Sequence, residues 1–354
     1  MRILSDSYDY AADVLPPKAA GELSAAPLVD PGLRWLSRTF LTGGAVLHGT
    51  DPAGEPWRYL VLSRHARRSQ YDQLIELARS RSSLPDRLVC VAGSGEGFHG
   101  FKERPWSAAA GNLHVSLYVT PNRVVEHFDT AFTVLAALSV VDAVDAVPGL
   151  RGQARVKWVN DVLVGKAKVA GILSYTQTQN GAVAGAVVGI GLNVETTPGV
   201  ERTAFVPAVG ALRDLTPDGS VVTQRDVLRS LLGALDRNYR TLLEEGYGVL
   251  LDRYRDRSYV LGKRIVLCED SSAADPRVVC EGRVVALGES LELYLEGREE
   301  PVRRGRLILT EPAAARTLGR ASPSRGTGPP SPMRGSVGRP AHPMHTQTPG
   351  GRRR

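Results

Sequence analysis

Apolar and polar positions fall into three regimes along the chain. Residues 1–55 are rich in Ala, Pro, Gly and Leu but weakly periodic, and no pair of helices joined by a short turn stands out. From Trp57 the pattern sharpens. Residues 57–63 (WRYLVLS) read as a strand, 71–79 (YDQLIELAR) as a helix anchored by Leu74, Ile75 and Leu77, and 87–92 (RLVCVA) as a second strand. A Gly-rich loop runs from 93 to 111. Residues 112–119 (NLHVSLYV) alternate apolar and polar, which predicts a half-buried strand. Residues 125–147 predict a long helix with Phe128, Phe132, Leu135 and Leu138 on one face, stopped near Pro148-Gly149.

Short strands follow at 155–159 and 162–164, and Gly165-Lys166 supplies the turn into a strand at 169–175. Residues 182–193 (AVAGAVVGIGLN) form a Gly-punctuated apolar strand that reads as buried on both faces. Thr223 with Asp226 predicts an N-cap for a helix to about Glu245, whose stripe is Val227, Leu228, Leu231, Leu235, Tyr239 and Leu242. From Gly262 the third regime begins, with four short strands (KRIVLC, RVVCEGRVVAL, SLELYL, RRGRLILT) typical of a small β appendage. The pattern therefore divides the chain into an N-terminal extension (1–55), a mixed α/β domain (56–257), a small β domain (258–310) and a tail (311–354).

Charge changes this picture only at the tail. The chain of 354 residues carries a formal +7, but the eight Arg and single Glu after residue 310 account for all of it. The first 310 residues balance 36 basic against 36 acidic groups, which argues against a nucleic-acid-binding body. The tail holds eight of the 23 Pro and no aromatic residue, so it cannot bury enough apolar surface to order itself. Three cysteines without CxxC spacing support neither a disulfide framework nor a zinc site, and no protein-held metal site is expected. The N-terminus shows no signal-peptide pattern, and the longest apolar runs are too short to span a membrane; a cytoplasmic protein is expected.

Lysine usage points to the chemistry. Only six of the 44 basic residues are Lys, yet Lys157, Lys166 and Lys168 crowd into twelve positions. In an Arg-dominated chain, such a cluster suggests a need for compact ammonium groups. In residues 156–173 (VKWVNDVLVGKAKVAGIL) a hairpin at Gly165 can set Asp161 beside Lys168, seven positions later. On spacing alone, an ordinary hairpin with a solvated ion pair reads as well. The Gly-rich loop has four Gly from 93 to 100, with Lys102 and Arg104 for phosphates and Trp106 for stacking on a planar ring; flexible loops share this composition. In 188–193 (VGIGLN), Gly189 and Gly191 let a ligand lie against a buried strand, or relieve a crowded sheet, and Asn193 can both donate and accept.

Together, KWxND, KxxGIL seven residues after the Asp, and GxGxN some twenty residues further on resemble the biotin protein ligases of the biotin and lipoate ligase superfamily. The resemblance covers about residues 57–310 and includes the GNL at 111–113 and the terminal β module. It implies a class II synthetase-like ligase core, a mixed sheet with helices packed on one side, and a small C-terminal SH3-like β-barrel. It implies ATP, Mg²⁺ and biotin as reactants, biotinyl-5′-AMP as intermediate, and a lysine of a biotin carboxyl carrier-type acceptor domain as final substrate. No sequence-specific DNA binding and no membrane partner are expected.

Carried over position by position, Lys168 would stabilise phosphoryl charge, with Asp161 and Asn160 holding the local network. Lys102 and Arg104 would grip phosphates, and Trp106 and Asn193 would bound the adenosine. Gly171 and Gly189 would leave room for the thioether ring and its chain, while Gly100 belongs to the loop that closes over the adenylate. Four departures stand out. Val159 replaces the usual Pro of KWxND, at a position read as strand. Phe101 stands where an adenylate-retaining Arg is expected, and Gly95 where a Gln meets the ureido group. The upstream Ser-Thr-Asn element survives only as Arg68-Ser69-Gln70, leaving Ser69. Alternatives are a ligase for lipoate or another acyl acid, or a non-catalytic protein that holds a biotin-like ligand or an acceptor domain. His99 and Trp158 read as a plain loop histidine and a core residue.

Overall fold

The computed structural model describes residues 1–42, 46–52, 56–80, 84–217, 220–269 and 277–309. The tail from 311 lies outside the described residues. In chain order the elements are β1 (Arg2–Ser5), α1 (Tyr8–Val14), α2 (Pro17–Gly21), α3 (Pro31–Phe40), β2 (Leu47–Thr50), β3 (Tyr59–Ser63), α4 (Gln70–Arg79), β4 (Leu88–Ala92), β5 (Leu113–Val119) and α5 (Phe128–Asp145). There follow β6 (Ala154–Lys157), β7 (Asp161–Val164), β8 (Ala167–Gln179), β9 (Ala182–Leu192), α6 (Leu212–Leu215), α7 (Gln224–Glu244), α8 (Tyr247–Asp256), β10 (Arg264–Cys268), β11 (Val278–Leu287), β12 (Leu293–Leu295) and β13 (Arg306–Leu309).

Nine strands form one mixed sheet in the order β2-β1-β3-β4-β5-β9-β8-β7-β6, parallel at β1, β3 and β4 and antiparallel elsewhere. Two of its strands come from the first 50 residues: β1 pairs with β3 on one side and with β2 on the other, so these two strands complete the edge of the sheet. Their weak periodicity reflects strands of four residues, too short to show a repeat.

Helices cover both faces, not one. On the first face α1, α5, α7 and α8 bury a continuous core that includes Val89, Leu113, Val188, Ile190 and Leu192. On the second face α3 and α4 pack Leu36, Phe40, Leu74 and Ala78 against Leu4, Val61, Leu88, Cys90 and Tyr118. α3 packs on β1 and β3, and α4 lies across one end of β5, β9 and β8. Toward the other end of those strands the same face is open and borders the candidate cleft.

α5 is apolar around its circumference and buried on nearly every side, so its four aromatic and Leu positions do not define a single face; Phe128 is 42% exposed. The α7 cap is as expected, with the Thr223 side chain accepting from the Asp226 N–H and all six stripe residues buried. β5 departs from its alternation: His114 and Ser116 are 1% and 3% exposed, because the polar side faces the cleft and not bulk water. The C-terminal module is a four-stranded antiparallel sheet in the order β12-β11-β10-β13. It docks through Trp158, whose indole N–H donates to the Leu291 carbonyl at 2.6 Å.

Candidate active site

Register places the chemistry in one row. Lys157 lies opposite Asp161, Asp161 opposite Gly171, Gly171 opposite Gly191, and Gly191 opposite His114. Directly opposed residues in antiparallel strands share a face, so the row crosses β6, β7, β8, β9 and β5 on the side α4 leaves open. A cleft of about 840 Å³ lies over it. All twelve residues singled out from the sequence line this cleft: Ser69, Gly100, Phe101, Lys102, Arg104, Trp106, Asn160, Asp161, Lys168, Gly171, Gly189 and Asn193.

The hairpin forms the expected ion pair. Gly165 adopts a left-handed conformation (φ 60°) and lets Val164 pair with Ala167 across a two-residue turn. A register shift at the start of β8 then brings the Lys168 ammonium to 2.7 Å from Asp161 Oδ1, with both side chains about 20% exposed. The pair is held within the cleft and is not a solvated surface bridge. The Lys168 backbone is fixed by the Ala208 carbonyl and the Gly210 N–H, at 2.9 and 3.1 Å. Val159 lies in the turn between β6 and β7, outside any strand, so the expectation of a strand position there is corrected. Its carbonyl accepts from the Tyr254 hydroxyl at 2.7 Å.

Both asparagines brace the frame. Asn160 donates its amide to the Ile172 carbonyl at 2.6 Å, and Asn193 donates to the Gly210 carbonyl at 3.2 Å. Asn193 Oδ1 is buried with no hydrogen-bond partner. An orphaned buried acceptor beside a cleft fits a ligand that brings a donor. Ser69 caps α4 by accepting from the Asp72 N–H at 3.3 Å.

The glycines on the floor make room for aromatic rings of this chain. A Cβ at Gly191 would run into the Trp106 indole, and one at Gly189 would sit 2.9 Å from the Tyr71 ring. Trp106 lies over Gly191 and Gly171, its Nε1–H 3.4 Å from His114 Nδ1, and the Lys168 ammonium stands 5.5 Å from the indole centroid. Burial pushes His114 down to about 4, partly offset by the Ala109 carbonyl, so it is a neutral acceptor toward Trp106. At Gly95, the Phe98 ring fills the space a longer side chain would need.

Cations crowd the mouth. Lys102 and Arg104 come from the loop and Arg303, Arg304 and Arg306 from the C-terminal module; Arg104 Nε donates to the Phe101 carbonyl at 2.7 Å. Lys157, 7% exposed, donates to the Phe205 carbonyl. Burial lowers its pKa, opposed by Asp161 and reinforced by Lys168. Among the described residues no group of three His, Cys, Asp or Glu could hold a metal ion. No described helix is long and apolar enough to cross a membrane.

Sequence reasoning missed Tyr71, His114 and Ser116, and it counted Lys157 in the lysine cluster without giving it a place in the site. Lys157 was visible as the first letter of KWxND, and the two β5 residues as the polar half of an alternation. Tyr71 gave no signal beyond its place in a helix.

Residues 66–193 match the family model of the biotin/lipoate A/B protein ligase family, which bears out the resemblance read from the motifs. The chain is 27% identical over 189 residues to the bifunctional ligase/repressor BirA of Bacillus spizizenii, an alignment covering 52% of this chain and 54% of that protein. It is 29% identical over 203 residues to the biotin–[acetyl-CoA-carboxylase] ligase of Paracoccus denitrificans, covering 54% and 82%. The chain thus spans about half the length of the BirA relatives it matches. Its fold is similar to that of the biotin protein ligase from Aquifex aeolicus in complex with biotin and ATP, with TM-score 0.55 and 20% identity over 71% of this chain and 98% of that one.

Proposed function

We propose, from the premise of a biotin/lipoate ligase family domain at residues 66–193, that this chain is an ATP-dependent biotin–protein ligase. The observation that carries the reading is the Asp161–Lys168 pair, held inside a cleft whose mouth is ringed by cations. In the first half-reaction a carboxylate oxygen of biotin bonds to the α-phosphorus of ATP while the bond to the pyrophosphate oxygen breaks. Negative charge accumulates on the phosphoryl oxygens, and the products are biotinyl-5′-AMP and pyrophosphate. Asp161 orients the Lys168 ammonium toward that charge, while Lys102 and Arg104 hold the phosphates. Mg²⁺ bound to ATP would neutralise part of the phosphate charge beside Lys102 and Arg104.

Trp106 offers its face to the adenine, and the free Asn193 Oδ1 accepts from an N–H of the nucleotide. In the second half-reaction the amine of an acceptor lysine attacks the mixed-anhydride carbonyl, forming the amide and releasing AMP. The loop at 93–111 covers the adenylate and keeps water from it. The acceptor is a domain of the biotin carboxyl carrier type.

A second reading has its own observation. Phe98 fills the space at Gly95, where the resemblance places a Gln for the ureido group. That favours lipoate or another acyl acid, with unchanged chemistry. Pyrophosphate release with ATP, Mg²⁺ and either biotin or lipoate separates the two. Release with biotin supports the first reading, release with lipoate alone the second, and silence with both refutes adenylation.

A further inference from the structure

The tip of the Gly-rich loop is a built hairpin. The Gly100 N–H donates to the Arg104 carbonyl at 2.6 Å, the Trp106 N–H to the Phe98 carbonyl at 3.0 Å, and His99 bridges to Pro105 between them. Its turn puts Lys102 and Glu103 in the left-handed region, both at φ 55°. That conformation is unfavourable for a residue with a Cβ, so the hairpin needs ties from outside. Alternation provides two. Phe98 and Trp106 face the sheet and meet His114, with the Phe98 and His114 rings 5.4 Å apart. His99 faces the other way, toward α4.

The second tie has a specific protonation state. His99 Nδ1 lies 3.0 Å from the Gly100 carbonyl oxygen, and Nε2 lies 3.0 Å from both carboxylate oxygens of Asp72. A carbonyl never donates and an ionised carboxylate cannot. A neutral imidazole has one N–H and would leave one of these contacts without a hydrogen, whereas the imidazolium satisfies both. The charged groups facing the ring are Asp72 from α4 and Glu103 from the hairpin tip, the latter 3.8 Å from Nε2, and both are acidic. Burial works against the cation, but the Gly100 carbonyl, Asp72 and Glu103 outweigh it and raise the pKa above the usual 6.5.

The geometry points to His99 as a positioning residue: as a cation held by Asp72, it clamps the hairpin that carries Lys102, Arg104 and Trp106 over the floor of the cleft. The clamp holds while His99 is protonated and opens as pH rises through its folded-state pKa, so hold on a bound intermediate weakens toward alkaline pH. That consequence for an intermediate rests on the ligase reading of the site; the clamp itself does not.

The test uses the full chain without ligand, with histidine ring resonances and amide exchange followed by NMR across pH. We expect His99 to titrate above 6.5 and Asp72→Asn to bring it back to 6.5 or below. Protection of the Gly100 and Trp106 amides, corrected for intrinsic exchange, should fall about tenfold on deprotonation, the scale of one charge-assisted hydrogen bond. His99→Arg keeps a cation opposite Asp72 and should hold protection level to about pH 9. A His99 titrating at or below 6.5 in the unmodified chain, or protection indifferent to both pH and Asp72→Asn, overturns the clamp and leaves the ligase reading standing. In the adenylation assay, Asp72→Asn should raise KM or the intermediate's off-rate more than it lowers kcat, with the effect shrinking at alkaline pH. An equal loss at every pH would mark a merely structural role and overturn the assignment. Normal titration in a protein that activates no acid refutes the ligase reading alone.

Discussion

Replacing Lys168 with alanine removes the ammonium that Asp161 holds at 2.7 Å, and the two consequences separate cleanly. For folding the effect is modest. Both side chains keep only about a fifth of their surface exposed, so the change leaves the Asp161 carboxylate largely buried without its counter-charge, at a cost of about 1–2 kcal/mol. The backbone ties of residue 168 to Ala208 and Gly210 do not involve the side chain. For catalysis the effect is large. One preorganised contact to charge that develops only in the transition state contributes about 3–4 kcal/mol, or roughly a hundred- to a thousandfold in rate. Lys168→Ala should therefore lose adenylation by about that factor, measured as pyrophosphate release with biotin or lipoate, while its melting temperature moves by only a few degrees. Asp161→Asn keeps the ammonium but loosens its aim, and should retain more activity than Lys168→Ala. A Lys168→Ala protein that folds normally and adenylates within about threefold of the parent would refute the assigned role.

Other sites give independent checks. Gly191→Val drives a side chain into the Trp106 indole, and should cost about 1–3 kcal/mol of stability and weaken ATP binding, read by thermal melts with and without nucleotide; an unshifted melt would contradict the packing of the floor. His114 remains neutral in the fold down to about 4 while the unfolded chain binds a proton near 6.5. Stability should therefore fall by up to about 3 kcal/mol as pH drops through that window, and His114→Gln should flatten the slope of melting temperature against pH. Trp158→Phe removes the hydrogen bond to Leu291 and should cost about 1 kcal/mol, visible as faster exchange in β12. Buried Asn238 links Ser139 and Asp142 of α5 to Arg253 of α8, so Asn238→Ala should destabilise by about 1–3 kcal/mol in urea unfolding without changing adenylation.

Local rules sufficed wherever structure is local. The sequence alone determined the α7 cap at Thr223, the two-residue turn at Gly165 and the seven-residue step that sets Asp161 beside Lys168, because caps, turns and hairpins are settled by neighbours within a few positions. The family resemblance carried by the motifs selected residues that gather in one cleft. Tertiary structure decided the rest. Four-residue strands such as β1 and β2 carry no readable period, and only pairing of β1 with β3 makes them the edge of the sheet. Alternation in β5 says that its two sides differ but not what covers each; α4 and the Gly-rich loop make the polar side a cleft wall and leave His114 uncharged. The glycines of VGIGLN announced a close approach, yet the visitors, Trp106 and Tyr71, come from more than eighty residues away in sequence. His99 is an unremarkable loop residue until the packing of α4 sets Asp72 against it. In each case the deciding partner is distant along the chain, and a pattern of polarity records that burial happens without recording which side chain does the burying.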